Sequence, residues 1–303
     1  MHLELKGIIP PMVTPLTKDK KLDDQGLQRL IEHLISGGVN GIFLLGSNGE
    51  APSLSYGLRK ELVVKACRHV DKRVPVLVGI TDASLEACLE MANHAKTSGA
   101  DVVVVAPPYY FPITEAEMLD YLNILVPQLP LPFLLYNIPS CTKMQLSVKI
   151  VERARKLGAL GIKDSSGDIA VLHTFLETFA HLPQFVVFTG TEAFLPETMA
   201  NGGHGAIAGG ANFFPAMFVQ FYEACIAGDK AKIIDIGTMV NQLYHTVYSV
   251  GKYGSRYTMG IKCAVSILGI CGDEMAPPFK KFSPRDRKRI KDLINGLKKK
   301  GAN

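Results

Sequence analysis

Two kinds of segment alternate along the chain. Short apolar runs, several of them rich in β-branched residues, cover Gly7–Val13, Gly41–Leu45, Pro75–Val78, Asp101–Ala106, Phe133–Tyr136, Leu160–Lys163, Phe185–Thr189 and Gly205–Ala208. They are apolar throughout, as parallel strands covered on both faces should be. Between them lie longer amphipathic stretches such as Asp24–Ser36, Ser55–Val70, Ser84–Ser98, Thr114–Val126 and Ile169–Phe179. Ser55, Ser84 with Glu86, and Thr114 with Glu117 are natural helix starts. Ser36-Gly37-Gly38 and Ser98-Gly99 are natural stops. Eight strand–helix repeats predict a (β/α)8 TIM barrel over residues 1–227, with a doubly wound open sheet as the competing α/β arrangement. After Gly228 the strand signal stops. Ala231–Val250, Tyr257–Leu268 and Pro284–Lys300 read as helices, so residues 228–303 are expected to form a C-terminal helical cap.

The chain has 303 residues, 47% hydrophobic and 20% charged, which excludes disorder and allows a large core. Its net charge of +5 is unevenly placed. Between Lys280 and Lys300, ten Lys or Arg face only Asp286 and Asp292. Without interleaved aromatics this tail reads as a solvated helix face rather than a nucleic-acid surface. The six cysteines, Cys67, Cys88, Cys141, Cys225, Cys263 and Cys271, form no CxxC pair. They are expected to be buried free thiols in a reducing compartment. The start, MHLELKGIIPP, has no signal-like apolar run, and no apolar stretch approaches the length of a membrane span. A cytoplasmic protein without membrane or nucleic-acid partners is expected.

In a barrel of this kind, chemistry sits on the loops that follow the strands. Gly46-Ser47-Asn48-Gly49-Glu50 follows the second run, and Pro107-Pro108-Tyr109-Tyr110 the fourth. Tyr136 closes the fifth, Lys163 the sixth, and Gly190-Thr191-Glu192 follows the seventh. Lys163 is the informative residue. An amine leaving an apolar strand is partly desolvated, which disfavours the ammonium and lowers its pKa. A neutral amine can attack a ketone and form a Schiff base. The alternative is a lysine paired with Asp164 or Glu192. Tyr136 and Tyr110 can relay protons if held within reach, or can simply be amphipathic core residues. Ser47 and Asn48, set among glycines, can bind a carboxylate through backbone and side-chain groups, or form an ordinary turn.

GSNGE at Gly46–Glu50, PYY at Pro108–Tyr110, YNIPS at Tyr136–Ser140, GIKDSSGD at Gly161–Asp168 and GGHGAIAGGAN at Gly202–Asn212 occur in this order. With them the chain resembles the dihydrodipicolinate synthase/N-acetylneuraminate lyase family of class I, Schiff-base aldolases over nearly its whole length. The resemblance implies that Lys163 carries the imine, so that no separate cofactor or metal is needed. It implies that Tyr136 is the general acid/base and that Ser47, Tyr136 and Tyr110 form a proton relay. Tyr110 would reach across a subunit interface, in a homotetramer built as a dimer of dimers. Ser47, Asn48 and the backbone near Ile207 would surround the pyruvoyl part of a 2-oxo acid, with Gly190, Glu192 and Ser165 meeting the rest of the substrate.

The departures from the family bear on the substrate. Dihydrodipicolinate synthases carry an arginine after the YNVPS motif for the carboxylate of aspartate semialdehyde; here Cys141 stands there, with Lys143 two residues on. A thiol cannot make the charge-assisted bidentate contact of guanidinium. N-acetylneuraminate lyases carry an acidic pair after strand seven; here it is Thr191-Glu192, and Gly209 replaces a hydroxyl residue. Asn48 and Lys163-Asp164-Ser165 resemble aldolases for 2-keto-3-deoxy sugar acids or 4-hydroxy-2-oxoglutarate. The expected reaction is cleavage of such a compound to pyruvate and an aldehyde. Rival readings of other classes are a barrel that binds or regulates without catalysis, and nucleic-acid binding through the basic tail. Two S-x-x-K matches, Ser140–Lys143 and Ser249–Lys252, lack companion motifs. The relaxed G-x-G-x-x-A at Gly203–Ala208 lies within a strand run rather than between a strand and a helix.

Overall fold

The computed structural model describes residues 4–302. Eight parallel strands form one sheet: β1 (Gly7–Ile8), β2 (Ile42–Leu44), β3 (Val76–Gly79), β4 (Val102–Val105), β5 (Phe133–Asn137), β6 (Gly161–Asp164), β7 (Val186–Thr189) and β8 (Gly205–Ala206). Consecutive strands from β2 to β8 pair with one another, and β8 pairs with β1. The remaining seam between β1 and β2 is closed beyond the end of β1. Phe43 N–H donates to Pro10 O (3.0 Å), and Met12 N–H donates to Phe43 O (2.8 Å). The sheet is therefore a closed (β/α)8 barrel. Regular strand in the first run stops at Ile8, not at Val13, because Pro10 and Pro11 have no N–H to give to a ladder.

Along each strand successive side chains face opposite ways. Phe43, Leu77, Val102, Val104, Leu134, Tyr136, Val186 and Phe188 fill the barrel interior together with Ile9 and Ile207. Ile42, Leu44, Val76, Val78, Val103, Val105, Leu135, Ile162 and Val187 face the helices. Apolar residues on both faces hide this alternation in the sequence.

The helices start as their caps predict. Ser55 and Ser84 accept hydrogen bonds from Leu58 N–H and Ala87 N–H, and Thr114 and Glu117 form a reciprocal capping box. Helices Val148–Lys156, Leu195–Ala200 and Pro215–Ala227 complete the repeats. Gly228, with φ 67°, ends the last of these, and the next helix begins at Lys230. That helix stops at His245, five residues short of the expected end. Thr246 takes φ −127° and ψ −88°, and a short turn at Val247–Ser249 follows. Helix Arg256–Ile267 packs against that turn and buries Met259 through Val265. Helix Pro284–Lys299 buries Ile290, Ile294 and Leu297 and turns its basic residues outward, as a solvated helix face does.

Four cysteines are buried, but Cys225 is half-buried and Cys141 is exposed, so the expectation of six buried thiols fails at two positions. Cys141 sits on a four-residue helix, Pro139–Thr142, over the barrel mouth, where no layer covers it. Among the described residues no helix is long and apolar enough to cross a membrane. Among the same residues no group of three or more His, Cys, Asp or Glu is placed to hold a metal ion.

Candidate active site

The register of β5 and β6 creates the site. Tyr136 pairs with Lys163, which pairs with Phe188 on β7, so three inward-facing residues lie side by side. One residue further on, Asn137 pairs with Asp164, and these two face the helices. Asn137 Nδ2 donates to Asp164 Oδ1 at 2.6 Å, and Ser166 Oγ donates to Asp164 Oδ2 at 2.8 Å. Asn137 Oδ1 also accepts Leu146 N–H at 3.0 Å. Asp164 is thus engaged on the outer face of the sheet, away from Lys163. Burial pushes its carboxyl above the usual carboxylate range, against the hydrogen bonds from Asn137 and Ser166.

Lys163 is only 3% exposed, and among the described residues its amine has no ion-pair or hydrogen-bond partner. Its Nζ lies 4.0 Å from the ring centroid of Tyr136 and 5.2 Å from that of Phe43. Tyr136 stands edge-to-face to Phe43, with ring centroids 6.2 Å apart. The alternative of a lysine held by Asp164 or Glu192 is excluded, because both carboxylates are bound elsewhere.

The amine opens into a cavity of about 400 Å³ at the carboxyl ends of the strands. Ser47, Asn48, Tyr136, Lys163, Ser165, Gly190 and Ile207 all line it, so seven of the nine expected site residues converge. Two do not. Tyr110 is 67% exposed outside the cavity of its own chain, edge-to-face with Phe111 at 4.9 Å. Glu192, expected to touch substrate, is fully buried behind the cavity wall. Its side chain accepts Gly210 N–H and the hydroxyl of Tyr248 (2.9 Å to Oε2), and its own N–H donates to Tyr244 OH at 3.0 Å. Burial raises its carboxyl pKa to about 7 despite these donors. A tight turn at Glu192–Phe194 aims the side chain inward, which the residue order Thr191-Glu192 could not reveal.

The loop after β2 is held in an unusual backbone path. Leu45 has φ 57° and Glu50 φ 59°, left-handed values that cost a non-glycine residue roughly 1 kcal/mol or more each. Thr14 Oγ1 donates to Gly49 O at 2.7 Å and pins the loop. Glu50 is buried and bonds to Lys262 Nζ at 2.6 Å and to Ala276 N–H at 2.8 Å, both from the C-terminal segment. Held this way, Ser47 is exposed, and among the described residues neither its backbone N–H nor that of Asn48 has a partner. Two adjacent amides without a partner, on residues that line the cavity, are donors left for a ligand.

Tyr244, Gly254, Tyr257 and Thr258 also line the cavity. Sequence reasoning missed all four, because they come from the C-terminal helices and the loop between them and carry no local signature. Ser140, Cys141 and Thr191 complete a wall rich in hydroxyls. Lys163 is the only cationic residue in that wall among the described residues. Lys143 points away, its Nζ donating to Tyr110 O at 3.0 Å. A second, apolar cavity of about 270 Å³, lined by Leu45, Val104, Ala106, Tyr109 and Phe279, adjoins the first and shares Ser47, Tyr136, Ile138 and Cys141 with it.

Comparison with known proteins agrees with this geometry. The model of the Dihydrodipicolinate synthetase family matches residues 4–297. YagE of Escherichia coli (strain K12), a candidate 2-dehydro-3-deoxy-D-gluconate aldolase, is 34% identical over 96% of this chain and 97% of its own. The structure of YagE in complex with pyruvate superposes with a TM-score of 0.92 and covers 98% of this chain and 99% of that one. YjhH of the same organism, a candidate 2-dehydro-3-deoxy-D-pentonate aldolase, is 35% identical over 79% of this chain and 81% of its own. A dihydrodipicolinate synthase structure from Bacteroides thetaiotaomicron is 43% identical with a TM-score of 0.94, covering 98% and 100% of the two chains.

Proposed function

The chain belongs to the dihydrodipicolinate synthetase family and is a lyase of that family; on that premise we propose that it is a class I aldolase that holds pyruvate as an imine on Lys163. The substrate of this reading is a 2-keto-3-deoxy sugar acid, cleaved to pyruvate and a hydroxylated aldehyde. One observation carries it: a buried amine, free of any carboxylate, faces a cavity beside a tyrosine ring 4.0 Å away.

The reaction balances with the residues present. Lys163 Nζ attacks the C2 carbonyl, and the carbinolamine loses water to give a protonated imine. A base takes the proton of the C4 hydroxyl, the C3–C4 bond breaks, and its electron pair flows into the imine to give an enamine and the free aldehyde. Protonation at C3 and hydrolysis of the imine release pyruvate and restore the amine. Tyr136 lies where it can carry these protons, and Ser47 opens on the same space. The free amides of Ser47 and Asn48 take the substrate carboxylate.

The lining argues for the substrate class. Aspartate semialdehyde and 4-hydroxy-2-oxoglutarate both carry a carboxylate on the second half of the reaction, and the wall has no cation for it besides Lys163. A polyol chain needs hydroxyls and amides; Ser140, Ser165, Thr191, Tyr244, Tyr257 and Thr258 supply the first and Asn48 the second. The names of YagE and YjhH agree with this reading. The 43% identity to the Bacteroides structure favours a second one, a dihydrodipicolinate synthase, for which Cys141 stands where the family's synthases carry an arginine.

The exposed rings of Tyr110 and Phe111 support a homotetramer in which this edge is covered by a neighbour. Six unpaired cysteines fit a reducing, cytoplasmic setting. Borohydride reduction with pyruvate, read by intact mass, tests the imine. The expected adduct is one pyruvate on Lys163, missing in Lys163→Ala; an unmodified wild-type chain overturns the reading. Turnover of 2-keto-3-deoxygluconate, its pentonate analogue, 4-hydroxy-2-oxoglutarate, sialic acid and aspartate semialdehyde ranks the substrates.

A further inference from the structure

Gly209 lies in the cavity wall, and the space a side chain would take there is already claimed. A Cβ on Gly209 would lie 2.6 Å from the Tyr257 hydroxyl and 2.8 Å from Asn48 Nδ2. The two polar groups, from opposite ends of the chain, therefore meet at one spot in the wall. The Asn48 residue is 93% buried, and among the described residues its side-chain amide has no hydrogen-bond partner. That amide is not among the enclosed unpaired polar atoms, which are His33 Nε2 and Arg155 Nε among the described residues, so it opens on the cavity with its donors free for a ligand.

The position of the Tyr257 ring follows from what lies behind it. The Glu192 carboxyl receives Gly210 N–H and the Tyr248 hydroxyl. Tyr248 and Tyr257 pack with ring centroids 4.4 Å apart, so the carboxyl that anchors the first ring also holds the second in place.

We propose that Tyr257 and the Asn48 side chain form a subsite that recognises a hydroxyl group on the aldehyde half of the substrate, with Glu192 as the positioning residue that, through Tyr248, holds the Tyr257 hydroxyl at the cavity wall. The substrate hydroxyl accepts from Asn48 Nδ2 and donates to Tyr257. A deoxy analogue leaves both groups unpaired. The proposal rests on the aldolase reading and deepens it, because it assigns the choice of aldehyde to a residue of the C-terminal helix.

The test uses the synthetic direction, in which enamine C3 attacks an aldehyde carbonyl, with pyruvate and either D-glyceraldehyde or propanal. The wild-type chain is expected to favour glyceraldehyde. Tyr257→Phe keeps the ring and loses the hydroxyl, so it should lower kcat/KM for glyceraldehyde by roughly 10- to 100-fold and leave propanal nearly unchanged. Glu192→Gln exchanges one acceptor oxygen for an N–H donor beside the Tyr248 hydroxyl and should erode the same preference. The double variant should be no worse than Tyr257→Phe alone, because Glu192 acts through it. Borohydride trapping of pyruvate on each variant reports folding and imine formation separately. Trapping intact with an unchanged glyceraldehyde-to-propanal ratio overturns the subsite. Equal losses for both aldehydes in Glu192→Gln overturn the positioning role. Failure of the wild-type chain to trap pyruvate overturns the aldolase reading and the subsite with it.

Discussion

Glu50 and Lys262 form a buried ion pair, Oε1 to Nζ at 2.6 Å, with side chains 1% and 0% exposed. It joins the loop after β2, which carries Ser47 and Asn48, to the helix that carries Tyr257. The remaining bonds of the pair are also satisfied: Lys262 donates to Glu274 O, and Glu50 accepts Ala276 N–H. Removing one partner leaves a charge without water or counter-ion. Lys262→Met should cost about 3–5 kcal/mol of stability. Urea denaturation measures this, and a loss below about 1 kcal/mol would show that the pair does not clamp the two segments.

Much of this architecture is legible in the sequence, and what is missing has physical causes. Eight apolar runs mark the strands because parallel strands are covered on both faces. The same coverage hides which residues point inward, so the pairing of Tyr136 with Lys163, and of Asn137 with Asp164, emerges only from the register. Lys163 stands out because a lysine is rare in such a run. Tyr244 and Tyr257 do not stand out, since aromatic residues on amphipathic helices usually pack in a core, and only tertiary contact brings them to the mouth. Glu192 was placed on the substrate by its position after β7, but the turn at Glu192–Phe194 buries it.

Tyr136 lies beside the Lys163 amine, with its ring edge-to-face against Phe43. Tyr136→Phe removes the proton carrier and little packing. Turnover should fall by roughly 10²- to 10⁴-fold with a small change in KM. Steady-state kinetics with the preferred sugar acid decide this, and a loss under tenfold would assign the proton transfer to another group.

Ser165 owes its position to Gly190. A Cβ on Gly190 would lie 1.9 Å from Ser165 Oγ, so Gly190→Ala must turn that hydroxyl away. If Ser165 holds a substrate hydroxyl or carboxylate, Gly190→Ala and Ser165→Ala should raise KM alike, by about tenfold for one lost hydrogen bond. An unchanged kcat/KM in Ser165→Ala removes that role.

Cys141 borders both cavities, and its segment is exposed. Cys141→Arg would add the cation that the wall lacks. Activity with 4-hydroxy-2-oxoglutarate or aspartate semialdehyde should rise by on the order of tenfold or more relative to a sugar acid, the worth of a charge-assisted contact. Competition assays with paired substrates measure the ratio. A ratio that stays flat would mean that the second half of the substrate does not reach this helix.

Glu192 makes stability depend on pH. Its carboxyl has an ordinary value of 4.5 and is raised by burial to about 7 in the folded chain, where the neutral side chains of Tyr244, Tyr248 and Tyr257 and the backbone at Gly209 and Gly210 surround it. The folded state binds this proton more tightly than the unfolded state does. Its contribution is therefore fully present below pH 4.5 and is lost as pH rises towards and through 7. The shift corresponds to roughly 3 kcal/mol. Glu192→Gln cannot ionise, so the stability difference between wild type and variant should swing in favour of the variant by about that amount from pH 4 to pH 8. Asp164 titrates in both proteins and cancels in the difference. Urea denaturation at the two pH values reads the swing, and a difference that does not change with pH would mean that the carboxyl is ionised throughout or is reached by water.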